Sequence, residues 1–357
     1  MTSRERYRAV THYLPSDRLF RHEMGPFAET VKRWQGEGLA PDDDYRRIAG
    51  YDRFETAPVN VGLAYHWDYE TLELTPDYEV YRDSREGAIK KKLRNAPAPG
   101  MPQYIEFPLK DRETWRKMFL PRLNPDSPNR ISCHWESLKK QYAVRDFPLG
   151  VSAGSIFGWI RDWMGVENIA VALYDDPAFV QEMMNHVGDL IVEVLKKVVF
   201  DVQFDFAVMW EDMAYKTASL ISPRHVRQMM LPNYRKITDL LHRAGVDTVM
   251  LDSDGNVEEL IPIWLEAGIN YIYPMEVAAG MDVVALRKKF GRDLIIGGGM
   301  DKRILAWGDH KAIDAMVDAK REVILEGGYI PGCDHALPPD ISWGNFLYYR
   351  EKLASIA

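Results

Sequence analysis

Cysteine is scarce: the 357 residues hold two, Cys133 and Cys333. Two thiols cannot build a disulfide framework, and free thiols fit a reducing cytoplasm, the expected compartment. A basic excess is lacking too. The formal charge is −8, so nothing neutralises a phosphate backbone, and nucleic acid is not an expected partner. No run approaches the ~18 apolar residues of a membrane span. The start, "MTSRERYRAVTHYLPSDRLF", carries charge every few positions and has no apolar h-region, so no secretion signal is expected. Neither G-x-G-x-x-G nor G-x-x-x-x-G-K-[ST] occurs, which removes the usual nucleotide fingerprints. No C-x-x-C or H-E-x-x-H spacing fixes a metal. What remains is an ordinary globular balance, 46% hydrophobic and 27% charged. A chain of this length buries a sufficient core without disulfide or metal.

The N-terminal "TSRERYRAVTHYL" predicts a helix capped at Thr2 or Ser3, and "RLFRHEMG" a short strand after it. Between about residues 51 and 110 the character changes. "LELTPDYEVYRDSREGAIKKKL" alternates β-formers with charge about "DSREG", predicting an antiparallel hairpin that turns near Ser84 to Gly87. From Pro148 onward, short apolar runs alternate with amphipathic stretches of helical spacing. The runs are "PLGVSAG", "FDFAVMWED", "GVDTVMLDSDG", "GINYIYPME", "RDLIIGGGMD" and "GGYIPGCDH". Asp176, Ser222 and Asn256 are read as N-caps of the intervening helices. Strands apolar on both faces, alternating with helices, imply a buried parallel sheet. Without a glycine fingerprint an open nucleotide-binding sheet is disfavoured. The expected fold is α/β: a (β/α)8 TIM barrel over 1–357, one domain, with a β-hairpin insertion after the first strand.

In a barrel the reactive groups stand at the C-terminal strand ends. Those ends read His22-Glu23, Ser152-Ala153-Gly154, Trp210-Glu211-Asp212, Asp252-Ser253-Asp254, Met275-Glu276, Met300-Asp301 and Cys333-Asp334-His335. Carboxylates recur at nearly every one. Glu211, Asp252, Asp254 and Glu276 are the candidate catalytic groups. His22, Glu23, Ser152, Phe157, Trp210 and Met300 are candidates for contact with substrate. Several strand-end residues also have a local structural reading: Asp301 as an N-cap, Asp254 in an Asx-turn, Asp212 as a loop support, Cys333 as a small buried hydrophobe; Glu276 has no such local role. Cys333 with His335, Asp252, Asp254 or Glu276 could hold Zn²⁺, which takes S, N and O ligands; the expected ligands are Asp252, Glu276, Cys333 and His335. The same groups could act without metal, as acid or base. The aromatics of "SAGSIFGWIRDWMG" (Phe157, Trp159, Trp163) and Met164 would suit an organic substrate if some line a cavity.

The segments "RERYRAVTHYLPSDR", "MWEDMAYKTASLISPRHVRQMMLPNYRKI", "LDSDGNVEELIPIWLEAGINYIYPME" and "GGYIPGCDHALPPDISWGNFLYY" resemble the uroporphyrinogen decarboxylase superfamily, whose members are single (β/α)8 barrels. True decarboxylases of that superfamily carry an arginine-bearing "RQAGR" segment; here the corresponding stretch reads "FRHEMGPF". The resemblance is greater to the corrinoid-dependent methyltransferase branch. It implies methyl transfer between a small organic substrate and a cobalamin or corrinoid cofactor on a partner protein. In that branch zinc sits on a His-x-Cys pair and a Cys at the last strand end. Cys333 in "PGCDH" matches the last position, whereas Asp252 and Asp254 of "DSDG" stand at the pair. An oxygen-rich site implies a methoxylated or N-methylated substrate rather than a thiol, or a metal other than zinc. The alternatives are a metal-free lyase acting on a carboxylated substrate, and a non-catalytic barrel that binds a tetrapyrrole or corrinoid protein.

Overall fold

A computed structural model describes residues 1–95 and 101–356; residues 96–100 of the expected insertion lie outside the described residues. In chain order the strands are β1 (Glu55–Thr56), β2 (Glu70–Leu74), β3 (Tyr78–Arg82), β4 (Ile89–Leu93), β5 (Gln103–Glu106) and β6 (Leu149–Ser152). They continue with β7 (Phe206–Trp210), β8 (Val249–Asp252), β9 (Tyr271–Tyr273), β10 (Ile295–Met300) and β11 (Tyr329–Cys333). Seven form a curled parallel sheet in the order β1-β6-β7-β8-β9-β10-β11, and helices between its strands make the fold TIM-barrel-like. Each of the six apolar runs after Pro148 contributes one strand.

Two expectations change. "RLFRHEMG" forms no ladder strand: the Arg21 carbonyl accepts from the Asp52 N–H at 2.9 Å, and its own N–H donates to the Asp52 carboxylate at 2.9 Å. The region after β1 holds a four-stranded antiparallel sheet, β2-β3-β4-β5, where a single hairpin was expected. In its central turn, between β3 and β4, the Asp83 N–H donates to the Ala88 carbonyl.

Local chemistry sets the helix starts. Thr2 and Glu5 form a capping box on Ser3–Thr11, while Asp176 and Ser222 accept from the N–H three residues on. Asn256 is not the N-cap of an α-helix: its Oδ1 accepts from the Glu258 N–H at 3.3 Å in the turn before it, its amide donates to the Ala279 carbonyl, and the next α-helix begins only at Ile261. Inward positions follow the strand period of two: Phe206 and Val208, Met250 and Asp252, Tyr271 and Tyr273 all face the interior space. The Ser3–Thr11 helix closes the floor with Tyr7, fully buried, its ring 5.3 Å from Phe20 and 5.6 Å from Phe206. The interior is therefore sealed at the strand N-termini, and its chemistry lies at the other end.

Candidate active site

Inside the strand C-terminal ends lies a cavity of about 320 Å³. Phe206, Phe54 and His22 stack successively on one wall, with centroids 4.3 and 4.1 Å apart. Tyr273, Met250 and Ile330 extend the apolar surface. The "GGGMD" glycines serve packing: a methyl at Gly297 would stand 2.7 Å from the Tyr271 hydroxyl, and Gly298 adopts φ +84°, open to glycine at little cost. Neither Lys nor Arg lines this cavity among the described residues.

Four of the expected residues meet here: His22, Glu23, Asp252 and Cys333. Their states differ. His22 is pulled down to about 4, first by burial and then by the charges of Arg350 and Arg46, so the ring is neutral near pH 7. Asp252 is pushed up to about 7 by burial, then by Asp254 and Asp212; His335 alone opposes, and no hydrogen bond to the carboxylate contributes. Burial, with Glu23 and Asp334 nearby, raises Cys333 well above an ordinary thiol, which keeps it protonated. Glu23 is committed: it accepts from the Tyr51 hydroxyl (2.8 Å), the Arg350 guanidinium (2.8 Å) and the Cys333 N–H (2.7 Å). Among the described residues no hydrogen bond reaches the Asp252 carboxylate.

The remaining candidates stand elsewhere. Glu211 is fully buried and accepts from the N–H groups of Ile156, Phe157 and Gly158 and from the hydroxyls of Ser155 and Tyr234. It anchors the start of the Gly158–Met164 helix, away from the cavity wall. Phe157 and Met300 are fully buried in the core. Ser152 and Trp210 line a neighbouring cleft. Asp254 bonds His335 at 3.1 Å, and Glu276 bonds Lys302 at 3.0 Å and the Gly255 N–H at 3.2 Å. The hydrogen bond to Asp254 is the first cause raising His335. Asp301 caps the helix Lys302–Trp307. Asp212 bonds Arg161 at 2.9 Å, and Cys133 lies exposed.

The four expected zinc ligands do not fit an ion in this arrangement. Asp252 and Cys333 face the cavity, while Glu276 and His335 are engaged with Lys302 and Asp254. Among the described residues, no three His, Cys, Asp or Glu side chains are grouped to hold a metal. Sequence reading missed Phe54, Phe206, Met250 and Tyr273 as cavity walls. The period-two alternation in "FDFAV", "TVMLD" and "NYIYP" carried that signal for all but Phe54.

A TIM-barrel-like chain with an apolar cavity and one unpaired carboxyl at its strand ends has the layout of a rim-site enzyme. The chain belongs to the uroporphyrinogen decarboxylase (URO-D) family, whose model matches residues 96–352. Among solved structures it is similar to a methyltransferase from Methanosarcina mazei, at 12% identity over 99% of this chain and 98% of that one, with a TM-score of 0.61. At that identity the likeness is one of fold. No curated protein matches the sequence.

Proposed function

We infer that this chain is a methyltransferase that moves a methyl group between a small methoxylated or N-methylated compound and a corrinoid carried by a partner protein. The observation that carries the reading is Asp252, a carboxyl that titrates near neutrality in a cavity without a cation. Family membership and the fold shared with a methyltransferase support it. About 320 Å³ lies at the small end of ligand pockets, roughly 300–1,000 Å³, and suits one compact organic molecule. A substrate bearing many carboxylates would find no guanidinium or ammonium on this wall, which disfavours porphyrinogen decarboxylation. A reduced corrinoid supplies the nucleophile that accepts the methyl group.

The chain's own residues do the rest. Phe54, Phe206 and Tyr273 hold the apolar body of the substrate and exclude water. The Asp252 carboxyl donates its proton to the departing oxygen or nitrogen as the bond to the methyl carbon breaks, leaving an alcohol or amine and a carboxylate. General acids tuned near the working pH give about 10²–10⁴-fold. Neutral His22 lines the same wall without adding charge. The test is methyl transfer to reduced cobalamin with phenyl-ether, N-methyl and methylthio donors, together with metal analysis of the protein and of Cys333→Ser. Transfer from an oxygen or nitrogen donor supports the reading. No transfer from any donor by metal-replete protein, or release of CO₂ from a carboxylated substrate that survives chelators, sinks it.

A further inference from the structure

A hydroxyl buried in a protein interior needs a hydrogen-bond partner. Tyr234 and Tyr329, both fully buried, donate to Glu211 at 2.9 Å and to the Gly298 carbonyl at 2.8 Å. Tyr271 is buried almost as deeply, 3% exposed, and it lines the cavity at the strand ends. Burial alone raises its hydroxyl above an ordinary phenol, and no hydrogen bond contributes. It therefore keeps its proton and stands as a donor without an acceptor among the described residues. The strand beside it makes room for this group. Gly297 on β10 has no side chain where the Tyr271 hydroxyl lies, 2.7 Å from the place a methyl would take. A larger residue there would push the phenol aside.

The Tyr271 hydroxyl and the Asp252 carboxyl address different parts of this one cavity. Asp252 ends β8, in register with Tyr273 on β9. The Tyr271 hydroxyl lies over β10, and β9 separates β8 from β10. About 10 Å of sheet thus divides the two strands. Phe54, Phe206 and Tyr273 supply aromatic surface to the same space. With neither Lys nor Arg on the lining among the described residues, an acceptor for Tyr271 meets no cation there, so the lining suits an uncharged one.

We propose that Tyr271 is a specificity-determining residue: its hydroxyl donates to a second, uncharged oxygen of an aryl methyl ether, across the ring from the methoxy oxygen that faces Asp252. This rests on the methyl-transfer reading and narrows its substrate class. An analogue without the second oxygen leaves the buried donor unmatched. The experiment is equilibrium dialysis of the full chain, without corrinoid, against 4-methoxyphenol and 4-methylanisole, which exchange a hydroxyl for a methyl of similar size. On Tyr271→Phe the preference for 4-methoxyphenol over 4-methylanisole should fall roughly tenfold, with 4-methylanisole bound as before or more tightly. A ratio of affinities unchanged by the substitution, or binding of neither ligand by the wild type, overturns the proposal. The unliganded variant should keep or raise its urea midpoint, because the hydroxyl it loses has no resident partner. A lowered midpoint reveals such a partner and overturns the proposal as well. Methyl transfer is read separately: its absence, with the change in ratio intact, strikes the reaction and leaves the oxygen-selecting role of Tyr271 standing.

Discussion

At the scale of single residues, Asp252 links chemistry to stability. In the unfolded chain it ionises near 3.8, whereas in the folded protein it keeps its proton to about 7. The folded state binds more protons between those values, so stability falls as pH rises through them, and the full penalty persists above 7. At about 1.4 kcal/mol per pH unit, the interval from 3.8 to about 7 amounts to roughly 4 kcal/mol. Asp252→Asn should therefore stabilise the protein at pH 8 by up to ~3 kcal/mol, with the gain fading toward pH 4, as urea titrations at the two pH values will read. The same substitution should lower methyl transfer by about 10²–10⁴-fold, and wild-type activity should decline above pH 7 as the acid ionises. A variant no more stable at pH 8 and equally active would remove Asp252 from this role.

At the scale of elements, Glu211 shows why a strand-end carboxylate is not by itself a catalytic one. Local sequence places it beside Asp212 at the end of β7, but its five hydrogen bonds come from the segment 155–158 and from Tyr234. Those partners are fixed by packing and carry no signature in "MWEDM". Glu211→Ala leaves three buried backbone N–H groups unmatched, at about 1–3 kcal/mol each. The expected outcome is a loss of at least ~3 kcal/mol in chemical denaturation, with early hydrogen exchange in Gly158–Met164. A loss below 1 kcal/mol would contradict the anchoring role. The parallel strands were legible for the opposite reason: burial on both faces writes them as continuous apolar runs bounded by turn residues, and all six after Pro148 lie where those runs are. Leu19–Met24 has similar composition, yet within it Arg21 bonds Asp52 through both its N–H and its carbonyl, which no local pattern reports.

At the scale of the molecule, the site was legible to the extent that the fold places strand ends on one rim: His22, Asp252 and Cys333, over three hundred residues apart at the extremes, do share a cavity. What the sequence did not carry is which rim groups are consumed by one another, since Asp254 pairs with His335 81 positions away and Glu276 with Lys302 26 positions away. Glu23 is the widest-reaching of these ties. It joins the extended N-terminal segment to the Cys333 N–H on β11, to Tyr51, and to Arg350 on the C-terminal helix Trp343–Ala354. Both members of the Glu23–Arg350 pair are almost wholly buried, with side chains 1% and 4% exposed. Removing one partner of a buried pair strands the other charge, at about 3–5 kcal/mol, whereas replacing both by apolar groups of similar volume is close to neutral. Glu23→Leu should thus destabilise the whole protein by roughly 3–5 kcal/mol in urea, and Glu23→Leu with Arg350→Met should recover most of that loss. The Tyr51 hydroxyl and the Cys333 N–H lose their acceptor in both variants, so recovery short of complete measures those two bonds. If the double substitution is no more stable than the single one, the pair does not hold the two ends of the chain together.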